Sequence, residues 1–168
     1  MVLNLETVTA DILDWSQRFV EVPHPALGGF PPCTFGGKAR VNNAVQLLLG
    51  VDPYFDLKLR SRWGMYNFDV IAYAYDPAEW PYERFHSAIE MANTELLLPH
   101  DMIALEDHPT AIEDVNGVIM NQGQYALIFV QSLTKLNTAA KQMASKGFYH
   151  NWPEEYLKEL FCHRVDPR

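Results

Sequence analysis

One α+β domain spanning residues 1–168 is the fold the sequence predicts, with helices packed mainly on one face of a short, largely antiparallel four-stranded sheet, a ferredoxin-like or related sandwich. Three observations lead there. Apolar residues recur at helical spacing in four separate segments. Short alternating or continuous apolar runs fall between them. The chain carries 48% hydrophobic, 12% aromatic and 20% charged residues, a globular balance that argues against disorder, and 168 residues suffice for one continuous core.

Leu5, Val8, Ile12, Trp15 and Phe19 step by three and four along one face of a first helix, which Val22-Pro23-His24-Pro25 stops. From Pro23 to Gly37 the chain is crowded with proline and glycine. Leu27, Phe30 and Phe35 give this loop apolar anchors, so an ordered or functional loop is expected rather than a linker. A second helix is expected from about Lys38, with Val41, Val45, Leu48 and Leu49 buried and Gly50 and Pro53 ending it. Leu57, Leu59, Ser61 and Trp63 alternate with Asp56, Lys58, Arg60 and Arg62, which predicts a half-buried strand. That strand is expected to turn near Gly64 and form a hairpin with Met65–Tyr75. Phe85, Ala88, Ile89, Ala92 and Leu96 mark the next helix, and Met102–Leu105 a short strand. Asn116-Gly117 signals a tight turn, and Tyr125–Val130 is a strongly apolar strand. Leu133, Leu136, Ala140 and Met143 form a helix stopped at Gly147; Pro153 and Glu154-Glu155 open a last short one.

The formal net charge of -8 argues against nucleic-acid binding, which needs a positive field. No apolar stretch reaches the ~20 residues of a membrane helix, and Glu6, Asp11 and Asp14 interrupt any leader-like run. Cys33 and Cys162 match no zinc spacing and are expected as free thiols. The expected compartment is the cytoplasm.

Two segments carry the candidate chemistry. Cys33 precedes the second helix, where unpaired backbone N–H groups and the helix dipole stabilise a thiolate, and Lys38 and Arg40 add positive charge. The bland alternative is a small apolar plug under a Pro-Pro corner. Asp107-His108-Pro109 follows a strand end, where a carboxylate can orient an imidazole for acid–base work or metal binding; alternatively Asp107 caps a turn. Arg62 with Lys38 and Arg40 makes a candidate pocket for an anionic small molecule, with Gly36-Gly37 allowing close backbone approach, although a solvated strand face explains the cations as well. Asn116 and Asn121 are candidate hydrogen-bonding residues. His86 and Glu90, four apart, read as a surface ion pair. No metal-enzyme, phosphate-loop or nucleophile-elbow motif occurs, so cofactor and metal are left undefined.

Gly29-Phe30-Pro31-Pro32-Cys33 followed by Lys38-Ala39-Arg40, together with Asp107-His108-Pro109, Asn116-Gly117 and Gly147-Phe148-Tyr149, resembles the motifs of small proteins of bacteria and their phages. In those a Phe-Pro-x-Cys-Pro-aromatic-Ala segment precedes a Lys-Ala pair; here Thr34-Phe35-Gly36 departs from it. The resemblance implies no activity and reinforces Cys33, Asp107 and His108. The expectation is a small enzyme or small-molecule-binding protein with its pocket between the Cys33 loop and the Glu106–Asn121 loop. The alternative is an accessory or homo-oligomeric protein using Trp80, Tyr82, Phe148, Tyr149 and Trp152 as interface anchors.

Overall fold

The computed structural model describes residues 2–168. Helix α1 (Leu5–Trp15) starts at Asn4, whose side chain accepts from Thr7 N–H, and continues through a wider π-turn over Ser16–Val20 that buries Phe19 and Val20. Helix α2 spans Thr34–Val41 and is capped by Cys33. Strand β1 (Val45–Leu49) follows, then α3 (Pro53–Trp63), β2 (Val70–Tyr75), α4 (Tyr82–Ala92) and β3 (Met102–Asp107). A small hairpin, β4 (Asp114–Val115) and β5 (Val118–Ile119), precedes β6 (Ala126–Ser132), α5 (Leu133–Ala144) and α6 (Glu154–Leu160).

The main sheet runs β1-β2-β6-β3, with β1 parallel to β2 and the other two pairings antiparallel. The fold is therefore mixed α+β with four main strands, as expected, but two elements exchange type. Val45–Leu49 is a strand rather than the end of a helix, because so short an apolar run suits either element and here pairs with the wholly buried β2. Tyr54–Trp63 lies in a helix rather than a strand. Asp52 accepts from Phe55 N–H and Pro53 takes the first helical position, so the Asp-Pro pair starts an element instead of ending one. The expected hairpin is replaced by a parallel unit, β1–α3–β2. A ferredoxin-like sheet sets the strands of such a unit apart; these are neighbours.

Coverage is two-sided, not confined mainly to one face. Leu57 of α3 and Phe85, Ile89 and Ala92 of α4 pack on Ile71, Tyr73, Ala104, Ile128 and Val130. On the opposite face α1 lays Val8, Ile12 and Trp15 on Ala74, Leu127, Phe129 and Leu47. Four strands at a spacing of ~4.8 Å make a face much wider than the ~10 Å body of one helix. A single helix therefore leaves part of that face open. A third cluster, Leu27, Val115, Ala140, Phe148, Tyr149, Trp152, Leu157 and Phe161, joins the Pro/Gly loop to the C-terminal helices. Trp80, Phe148, Tyr149 and Trp152 are thus buried in cores, not exposed as interface anchors.

Candidate functional site

The open part of the sheet is the floor of a groove of about 1410 Å³. Leu47, Ala72, Phe129 and Leu105 lie along the floor, and α1 forms one wall through Ile12, Trp15 and Phe19. Trp15 stacks on Phe129 with ring centroids 6.5 Å apart, and its Nε1–H is buried without a hydrogen-bond partner among the described residues. The rims come from the two segments marked in the sequence. Pro32, Cys33, Phe35 and Gly36 lie on one side; Asp107, the 110–114 stretch, Met120 and Asn121 lie on the other.

At the polar end four side chains form a chain of hydrogen bonds. Asn121 Nδ2 donates to Asp107 Oδ1 at 2.8 Å and to Glu113 Oε1 at 3.2 Å. Asn121 Oδ1 accepts from Glu113 N–H at 2.9 Å, and Tyr156 O–H donates to Glu113 Oε2 at 2.9 Å. Asp107 is only 8% exposed, and its Oδ2 has no hydrogen-bond partner among the described residues. Burial, opposed by the Asn121 hydrogen bond and assisted by the charge of Glu113, raises its pKa to about 6. Glu113 and Tyr156 were not among the expected site residues. The signal for Glu113 was present: Asn116 and Gly117, both at positive φ, make a two-residue turn whose register brings residue 113 back to 120 and 121.

A second polar group also lines the groove, on the α4 side of β3. His86 Nδ1 lies 2.6 Å from Glu106 Oε1, and His163 Nε2 lies 2.8 Å from Glu90 Oε2. The expected His86–Glu90 pair is thus replaced by two longer-range pairs. Burial disfavours charge on His86, but the hydrogen bond and charge of Glu106, with Glu90, outweigh it and hold its pKa above the ordinary value. No three His, Cys, Asp or Glu side chains among the described residues are arranged to hold a metal ion.

The remaining sequence candidates are dispersed. Cys33 is exposed at the groove rim; its Sγ accepts from Gly36 N–H at 3.3 Å, capping α2. His108 follows Asp107 in sequence but turns away from the groove, its ring packed against Tyr82 and Phe85. Its Nε2–H donates to Trp80 O at 2.9 Å, while Nδ1 accepts from Thr110. Asp107 therefore does not orient it. Arg40 lines the groove, yet its guanidinium donates to both carboxylate oxygens of Glu21, at 2.7 and 2.8 Å. The close approach allowed by Gly37 is used by that same Glu21 side chain, whose Cγ lies 3.0 Å from where a Cβ would stand. The protein's own carboxylate thus occupies the place proposed for an external anion. Lys38 borders a separate hollow of about 350 Å³. Arg62 is exposed on α3 and does not line the groove, because its segment is a helix rather than a strand beside the loops. Asn116 donates from Nδ2 to Ala26 O and Asn151 O and so ties two loops together.

No helix among the described residues is long and apolar enough to cross a membrane. No family model, curated protein or solved structure matches this chain.

Proposed function

We propose that this chain is a small-molecule-binding protein whose ligand lies in the groove between the Cys33 loop and the Glu106–Asn121 segment. The apolar body of the ligand rests on Leu105 and Phe129, and its polar end meets Asp107 and Asn121. The observation that carries this reading is a buried carboxylate oxygen without a partner, set at the end of an open apolar groove. Burying such a group uncompensated costs on the order of a few kcal/mol, and folds seldom keep it without use. Apolar walls with a few convergent polar atoms are the usual make-up of a ligand site. The two exposed free thiols support a reducing, cytoplasmic setting. A cysteine–histidine catalytic pair is not part of the reading, since His108 faces away from Cys33's groove.

Titration with a neutral solvatochromic dye such as Nile red tests it. Dye emission is expected to rise with the wild-type protein, and Leu105→Trp, which fills the floor, is expected to weaken binding by about tenfold, or about 1.4 kcal/mol. Unchanged affinity in a Leu105→Trp protein with native circular dichroism would remove the groove as the site.

A further inference from the structure

The groove is electrically one-sided. Seven carboxylate residues line it against a single arginine, Arg40. That arginine is already engaged by Glu21, and the two histidines in the wall are paired with Glu106 and Glu90. Around Asp107 the donors are also spent. Asn121 spans both Asp107 and Glu113, and Tyr156 donates to Glu113. Two carboxylates thus share one amide, and Asp107 Oδ2 is left buried and unpartnered beside them. A carboxylate in that position is stabilised by a positive charge brought from outside. A bare metal cation would need several ligands at once, and no such group is assembled among the described residues. An organic cation needs one oxygen and an apolar surface for its body, and both are present.

We propose that the groove selects a primary ammonium carried on an aliphatic or aromatic body, with the ammonium N–H donating to Asp107 Oδ2. This inference rests on the groove being the binding site, and the test separates the two ideas. Full-length wild-type protein and Asp107→Asn are titrated calorimetrically at about pH 7.5, where Asp107 is ionised, with n-octylamine, 1-octanol and octanoate. Circular dichroism confirms that the variant is folded, and Glu113→Gln serves as a second variant should it not be. The expected result is that n-octylamine binds at least about tenfold more tightly than 1-octanol or octanoate. Asp107→Asn, or less strongly Glu113→Gln, removes that preference, bringing n-octylamine affinity down to within about twofold of 1-octanol for the same variant. Equal affinity for amine and alcohol, tightest binding of octanoate, or a preference that survives substitution would overturn the ammonium assignment and leave the groove standing. Failure of all three probes to bind would overturn both.

Discussion

Asp107 carries a definite pH signature. Its pKa of about 6 in the folded chain lies above the ordinary 3.8, so the folded state holds the proton more tightly than the unfolded state. Ionisation therefore opposes folding. The penalty is complete above about pH 6 and is relieved as pH falls from there toward 4. Asp107→Asn, which keeps an acceptor for Asn121, is expected to raise stability at pH 7.5 by up to about 3 kcal/mol, at ~1.4 kcal/mol for each of about two pKa units. The gain should shrink to about half of that by pH 5, read from urea unfolding at the two pH values. A second residue is constrained by space alone. A Cβ on Gly50 would overlap the Tyr75 ring, which is buried and held by its O–H donating to Asp56. Asp56 also accepts from Val51 and Asp52 N–H, so the ring has nowhere to swing. Gly50→Ala is expected to cost about 3 kcal/mol by denaturant titration. Individual site residues were only partly legible. Asp107 and Asn121 stood out by type, but a histidine beside a carboxylate in sequence says nothing of which side of a strand each faces. His108 and Asp107 lie on opposite sides because the chain is still extended where it leaves β3, and successive extended residues alternate.

Among the elements, the exchange of β1 and α3 shows where pattern reading loses its hold. Leu57, Leu59, Ser61 and Trp63 alternate by two, yet the positions that are buried in the helix are Pro53, Leu57 and Arg60, at steps of four and three. In an alternating strand Arg60 falls on the polar face with Asp56, Lys58 and Arg62. Arg60 is 4% exposed, with Nε donating to Tyr73 O–H and Nη1 to Gly64 O, so one charged residue disguised the helical face. The longer amphipathic segments α1, α4 and α5 and the apolar strands β2 and β6 were legible because their burial follows hydropathy. Asn93 offers a test at this scale. It leaves α4 through a π-turn, and its side-chain amide pairs with the outer edge of β3, donating to Ala104 O at 2.9 Å and accepting from Ala104 N–H at 2.8 Å. Asn93→Ala strips both partners and is expected to lower stability by about 2 kcal/mol, with faster amide exchange at Ala104.

In the whole molecule, the third apolar cluster is tied together by polar bonds as well as by packing, and Asn116 makes two of them. It lies in the β4–β5 turn and holds the Pro/Gly loop at Ala26 and the C-terminal segment at Asn151. Asn116→Ala is expected to reduce exchange protection around 24–30 and 148–152, by a local opening free energy of about 1 kcal/mol, while β2 and β6 stay protected. Hydrogen-exchange mass spectrometry checks it; uniform loss across the sheet would show that the third cluster opens only with the rest. The α+β class was legible because helix-period and strand-like apolar runs alternate along the chain. The groove was not, since it arises from how little of the sheet α1 covers, a property of packing that no run of residues displays.

The amide of Asn93 has a consequence for assembly between molecules. It answers the backbone of β3 at Ala104 from within the chain, so that edge has no vacancy there for a strand from elsewhere. The opposite edge, β1, carries the exposed side chains of Val45 and Leu49, and among the described residues no side chain bonds its backbone in this way. Polymerisation on heating or crowding should therefore propagate from one side of the molecule, and a lysine at Leu49 should slow it without touching the groove.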